Sequence, residues 1–149
     1  MLIRDASIDD TAAILRLLRQ VAATSDDPAY GAGSSDEQLL KVIENCRTLV
    51  LEVDGRLVGI NAVRIVSLPE HAQLHYRKMG FVMTLGIEEA ERRKGHGSAL
   101  FDHMRQWLSE EAVDLVSLSV AASNEVGQAF YRRMGFVPRS VQMEQLLQR

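Results

Sequence analysis

Phe81-Val82-Met83-Thr84-Leu85-Gly86-Ile87 runs through Glu88-Glu89-Ala90-Glu91 into Arg92-Arg93-Lys94-Gly95-His96-Gly97-Ser98-Ala99-Leu100. A β-rich apolar run crosses a short charged turn, meets two glycines spaced by one residue, and gives way to a helical pattern. The first turn of a helix leaves about four N–H groups without intrahelical partners. Glycines let a phosphate approach those donors closely, and the helix dipole favours an anion at that end. Arg92, Arg93 and Lys94 add positive charge at the same place. These residues imply a phosphate-bearing ligand. A P-loop needs four residues between its glycines and a following Lys-Ser/Thr pair, which this stretch lacks. A dinucleotide fingerprint wants a small third residue where Leu100 stands.

The preceding segments alternate helix and strand signals. Met1 to Asp5 reads as a short strand. Ser7, with Asp10 three residues on, resembles a capping box, and Ile14, Leu15, Leu18, Val21 and Ala22 follow at helical spacing. Asp26-Asp27-Pro28 and Gly31-Ala32-Gly33 break that helix. Ser35 with Gln38 opens a second helix carrying Leu39, Leu40, Val42 and Ile43. Thr48 to Val53 and Leu57 to Val66 flank Asp54-Gly55, a strong hairpin signal. Ser67 to Met79 reads as a loop and Gly80 to Ile87 as a strand.

Downstream, Ser98 to Ala112 is a helix with Leu100, Phe101, Met104, Trp107 and Leu108 on one side. Val116, Leu118 and Val120 alternate with serines, the pattern of a half-buried strand. Asn124 to Met134 is helical and closes on Gly135, suited to a left-handed cap. Val137 to Leu147 is expected to be strand. The order β-α-α-β-β-β-α-β-α-β describes a mixed α/β fold in one domain over 1–149.

The chain has 149 residues, 46% hydrophobic and 25% charged, with a formal net charge of −3. That balance suits an ordinary folded domain and gives no global basic field for nucleic acid. The single cysteine, Cys46, cannot form an internal disulfide and reads as a buried apolar thiol. No apolar run reaches the ~18 residues of a membrane span, and Met1 to Asp5 has no signal-peptide core. A cytoplasmic location without membrane contact is the expectation, and no metal-ligand cluster stands out.

Two motifs carry a family resemblance. Arg92-x-x-Gly95-x-Gly97, five residues after Ile87, resembles the acyl-CoA pyrophosphate loop of the GNAT N-acetyltransferase superfamily. Asn124-Glu125-Val126-Gly127-Gln128-Ala129-Phe130-Tyr131-Arg132-Arg133-Met134-Gly135-Phe136 is similar to the superfamily's Asn-x-x-Ala-x-x-x-Tyr-x-x-x-Gly-Phe stretch, with Gly127 replacing alanine. The opening Ile3-Arg4-Asp5-Ala6 and Ile8-Asp9-Asp10 resemble its first strand and helix start, so the likeness covers essentially the whole chain.

The resemblance implies a GNAT-like mixed sheet of about six to seven strands, splayed between the fourth and fifth, flanked by about four helices. Gly86 would mark a bulge or a close backbone approach. Acetyl-CoA would be the acyl donor. Its pantetheine arm would bond strand backbone near Leu85 and Ile87, and its pyrophosphate would meet N–H groups of residues 92 to 98. Arg92, Arg93, Lys94, Gly95, His96, Gly97 and Ser98 are thus cofactor-binding candidates, with His96 also readable as an exposed spacer. Asn124 would hydrogen-bond the pantetheine, although the same residue suits a helix cap. Tyr131 would act as general acid on the departing thiolate and touch the cofactor; its other reading is a core aromatic. Backbone N–H at Ile87 would stabilise the oxyanion.

Many relatives place a glutamate four residues before the position of Ile87, where this chain has Met83. Base work would fall to Glu88, His71, His75 or water. The acceptor would be a small-molecule or peptide primary amine, attacked directly in a ternary complex. Asp26, Asp27 and Tyr30 suit a cationic amine, whereas His71, His75, Arg77 and Lys78 suit an anionic substrate. A catalytically silent acyl-CoA-binding regulatory or interaction domain is the competing reading. Homodimers are common in the superfamily, so a homodimer is admitted.

Overall fold

The computed structural model describes residues 1–23, 33–69 and 76–148. The chain divides into two compact units, Met1–Ser119 and Val120–Arg149, taken here in turn. In the first, β1 (Leu2–Asp5) leads through a 3-10 turn into α1 (Thr11–Ala22), followed by α2 (Asp36–Val42). Then come β2 (Arg47–Val53), β3 (Arg56–Ser67), β4 (Lys78–Ile87), α3 (His96–Glu110) and β5 (Leu115–Ser117). The second unit holds α4 (Glu125–Arg133).

Local chemistry explains most boundaries. At the second predicted helix start, Gln38 N–H donates to Ser35 Oγ at 3.2 Å and Ser35 N–H donates to Gln38 Oε1 at 2.8 Å, a complete capping box. Asp54 and Gly55 both take positive φ, 53° and 78°, the geometry of a tight turn that matches strand twist. Gly135 closes α4 with φ 96°.

The five strands form one sheet in the order β1-β2-β3-β4-β5, antiparallel except for the parallel β4–β5 pair. Alternation along β2 sends Val50 to one face and Leu49 and Leu51 to the other. On the first face sit Ile14, Leu17 and Leu18 of α1 with Leu39 of α2. On the second, α3 lays down Leu100, Met104 and Leu108, all essentially buried. Each such side chain contributes about 2 kcal/mol of burial. Trp107 is partly buried and carries the Arg47 guanidinium 4.8 Å over its ring.

The splay lies where it was expected. β5 pairs with β4 from Met79–Phe81 to Leu115–Ser117, whereas β4 continues to Ile87 with β3 as its only strand partner among the described residues. Two expectations need correction. The strand read at Val116 to Val120 ends at Ser117, because β4 offers it no partner beyond Phe81. Val137 to Leu147 is not strand, so the described residues form a sheet of five strands instead of six to seven. Val137, Val141, Met143, Leu146 and Leu147 are 70–89% exposed, so their β propensity is matched by no burial or ladder.

The start of the chain is fixed electrostatically. Asp10 accepts from Arg4 Nη1 at 2.8 Å, from Arg4 Nη2 at 2.9 Å and from Ser7 N–H at 2.7 Å. Arg4 also reaches Glu52 Oε1 at 2.6 Å, tying β1, the turn and β2 together. Arg4 holds the Asp10 carboxyl well below the usual carboxylate range. A depressed carboxyl contributes stability that is full above its unfolded value, near ~4, and fades as pH falls toward the folded one. Asp10→Asn is therefore expected to cost about 2 kcal/mol at pH 7. In urea unfolding, the gap to the parent should narrow at pH 3; an equal gap at both pH values argues against the charge.

Candidate functional site

The stretch between β4 and α3 forms a tight loop. Glu89–Glu91 makes a 3-10 turn, closed by Glu91 N–H to Glu88 O at 2.9 Å and Arg92 N–H to Glu89 O at 3.2 Å. Arg93 and Gly95 then adopt left-handed backbone, with φ 64° and 80°. The next main-chain bond is Ala99 N–H to Gly95 O at 3.0 Å, which starts α3. Between these points, the N–H groups of Arg93, Lys94, Gly95, His96, Gly97 and Ser98 have no acceptor among the described residues. Consecutive amides in such a mixed right- and left-handed turn make a concave anion site, reinforced by the α3 dipole.

The cationic side chains divide the work. Arg92 turns back, and its Nε donates to Ile87 O at 2.9 Å, fastening the loop to the end of β4. Its N–H is taken up by the turn, so the free amides begin at Arg93. Lys94 Nζ and His96 Nε2 stand 3.1 and 3.4 Å from the same Glu91 oxygen. His96 is therefore no bare spacer, because it meets a carboxylate across the loop. Arg93 is exposed, without a side-chain partner among the described residues. The donor set, amides backed by cations, fits a pyrophosphate.

β4 supplies the adjoining edge. Glu88 N–H donates to Val58 O of β3 at 2.7 Å. Main-chain groups alternate sides along an antiparallel strand, so Ile87 and Leu85 direct theirs away from β3, to the edge that β5 leaves open. The bulge expected near Gly86 lies elsewhere. Ala62 pairs with Thr84 but Val63 pairs with Val82, which makes Met83 the extra residue. Gly86 serves the alternative anticipated for it, a close approach: a Cβ there would stand 2.5 Å from Val21 Cγ2 of α1. Met83 itself is 43% exposed.

Glu88 is anchored by two arginines. Its side chain is 13% exposed, 3.5 Å from Arg16 Nη1 of α1, and bonded to Arg56 at the start of β3. Arg16 Nη2 also donates to Leu57 O at 2.8 Å, so this clamp joins α1, β3 and the loop. Sequence reading missed Arg16 and Arg56, since neither shares a motif with Glu88. His71, His75, Asp26, Asp27 and Tyr30 lie outside the described residues. Arg77 and Lys78 lie at the start of β4, where Asp114 accepts from their N–H groups at 2.8 and 3.1 Å. Cys46 is partly buried, with burial pushing its thiol up.

In the second unit, Asn124 caps α4: its Oδ1 accepts from Gly127 N–H at 2.9 Å. A Cβ at Gly127 would lie 2.5 Å from Asn124 Nδ2, so the glycine lets Asn124 fold over its own helix start. Tyr131 is packed edge-on by Phe130 and Phe136, with centroids 5.3 and 5.7 Å away. Burial pushes its phenol above the ordinary value of 10.0. It stays protonated throughout the neutral range.

The acetyltransferase (GNAT) family model matches residues 15–136, spanning the loop and the Asn124–Phe136 stretch. The chain belongs to this family. Among curated proteins, none matches it. Solved structures share its fold at low identity. A mutant of the BH1408 protein from Bacillus halodurans is 21% identical, with a TM-score of 0.83 over 99% of this chain and 100% of that one. A GCN5-related N-acetyltransferase from Ralstonia eutropha is 19% identical, with a TM-score of 0.72 over 97% of each chain. A ribosomal-protein-alanine N-acetyltransferase from Brucella melitensis is 19% identical, with a TM-score of 0.68 over 100% of this chain and 99% of that one. The GNAT chain has no described helix long and apolar enough to cross a membrane.

Proposed function

We propose that the chain is a single-domain N-acetyltransferase that moves an acetyl group from acetyl-CoA to a primary amine by direct attack in a ternary complex. The observation that carries this reading is the run of six unpaired amides, Arg93 to Ser98, opening beside the free edge of β4. These amides would receive the pyrophosphate, with Arg93 nearest to solvent. Leu85 and Ile87 offer main-chain groups to a pantetheine arm lying along the open edge.

Acetyl-CoA supplies a thioester carbonyl activated for attack by an amine. Ile87 N–H, on the open edge, is suited to stabilise negative charge on that carbonyl oxygen. Tyr131 and Asn124 enter through the motif they share with the family. A half-buried, protonated phenol can hydrogen-bond or protonate a departing thiolate. Tyr131→Phe is expected to lower kcat about a hundredfold with a smaller change in KM for acetyl-CoA. An unaltered rate across the pH range removes Tyr131 from that role.

The acceptor is proposed only as an amine, since related folds bear names with different acceptors: ribosomal-protein alanine in one, an aminoglycoside in another. Met83 at the bulge and the doubly paired Glu88 favour one second reading, an acyl-CoA-binding domain without turnover. Free-thiol release from acetyl-CoA across a panel of amines decides between them. Stabilisation by coenzyme A without any turnover selects the second, and no stabilisation at hundredfold excess over a micromolar Kd sinks both, since binding would add about 2.7 kcal/mol.

A further inference from the structure

Asn61 lies in the middle of β3, inside the otherwise apolar run from Leu57 to Val63, and is fully buried. Its register neighbours are Leu49 on β2 and Leu85 on β4, both packed toward α3. A leucine at this position would continue the apolar face. Instead the Asn61 amide donates from Nδ2 to the Thr84 carbonyl at 2.9 Å, while Oδ1 has no hydrogen-bond partner among the described residues. A buried acceptor without a donor lowers stability. This one is kept beside a single backbone feature, for Thr84 is the residue that follows the bulged Met83.

The bulge decides which main-chain groups face the open edge. An extra residue shifts the strand's alternation by one, so its position sets the phase of the residues between the possible bulge sites, here Thr84 and Leu85. With Met83 extra, Thr84 and Gly86 turn their main chain toward β3, and Leu85 and Ile87 turn theirs outward. A bulge displaced past Thr84 would exchange those roles at the start of that segment. Ladder bonds alone do not select Met83, since neighbouring registers make similar bonds. A side-chain donor fixed on the Thr84 carbonyl does select it.

We infer that Asn61 is a positioning residue, holding the bulge at Met83 so that Leu85 presents its amide to the open edge in line with Ile87. This rests on the proposed acetyl transfer only for its effect on turnover; the effect on the strand is independent of it. The test is Asn61→Leu, with Asn61→Val as a second variant should the first fail to fold, read by site-resolved amide hydrogen exchange, melting, coenzyme A affinity and acetyl transfer. Protection at Thr84 is expected to fall at least tenfold, with Gly86 still paired to Ile60 and no loss of melting temperature. Coenzyme A affinity should fall by a smaller factor than kcat, because the Arg93–Ser98 amides are untouched while Leu85 is displaced, and kcat should fall at least tenfold. Unchanged exchange at Thr84 overturns the inference whether or not the protein is an acetyltransferase. So does a joint loss of melting temperature, coenzyme A affinity and β2–β3 protection, which marks an ordinary core residue. A parent protein that binds no coenzyme A refutes the proposed function while leaving the exchange comparison to decide the role of Asn61.

Discussion

Gly97→Glu is expected to abolish coenzyme A binding, by more than a hundredfold in titration calorimetry, while the protein melts no earlier than its parent. Gly97 has ordinary helical backbone in the first turn of α3, so a residue with a Cβ meets no backbone strain there. Replacing a helical glycine gains roughly 0.5–1 kcal/mol, and a carboxylate in the first turn gains about 0.3–1 kcal/mol from the helix dipole. The same carboxylate sits where the free amides converge, filling their space and repelling a phosphate. Stability and binding should therefore move in opposite directions. Unchanged affinity would refute the loop as the anion site, and a large drop in melting temperature would show that Gly97 serves packing instead.

The second large effect is expected at Gly86→Val. A Cβ at this position meets Val21 Cγ2 at 2.5 Å, and valine has no rotamer that withdraws it. Helix α1 must lift from β4 or the strand must sink toward α3, and neither move is free in a packed interior. Overpacking of this kind costs about 3 kcal/mol, or roughly 6–12 °C of melting temperature for a domain this size. Because Gly86 stands between Leu85 and Ile87, acetyl transfer should fall by more than the lost folded fraction explains. A partner change, Val21→Ala, opens space at the contact and should return much of the stability. If it returns none, the contact is not the cause.

Short-range chemistry was the readable part of this chain. Asp54-Gly55, the Ser35–Gln38 box, the Gly135 cap and the spaced glycines each dictate backbone within a few residues, and each is found as expected. What depends on register was not readable. The bulge at Met83 exists only in the pairing of β3 with β4, and Gly86 gains its meaning only when α1 arrives over it. Residues 137–147 show the converse: their apolar spacing favours a strand, but a strand also requires an edge to pair with. Asn61 left one trace, a polar residue inside an apolar run, whose significance emerges only once Thr84 is beside it. Arg16 and Arg56 left none, since ion pairs across elements have no sequence spacing.

The loop from Arg93 to Ser98 offers its ligand groups that every residue except proline possesses. Its recognition is thus stored as a conformation: two left-handed residues, a clasp from Arg92 to Ile87 O, and a glycine at position 97. Side chains at Arg93, Lys94 and His96 can drift while the amides keep their directions. Such a site is heritable as a shape rather than as a composition. It can persist through extensive exchange of letters and still be lost in one step, through a single proline or a single filled glycine.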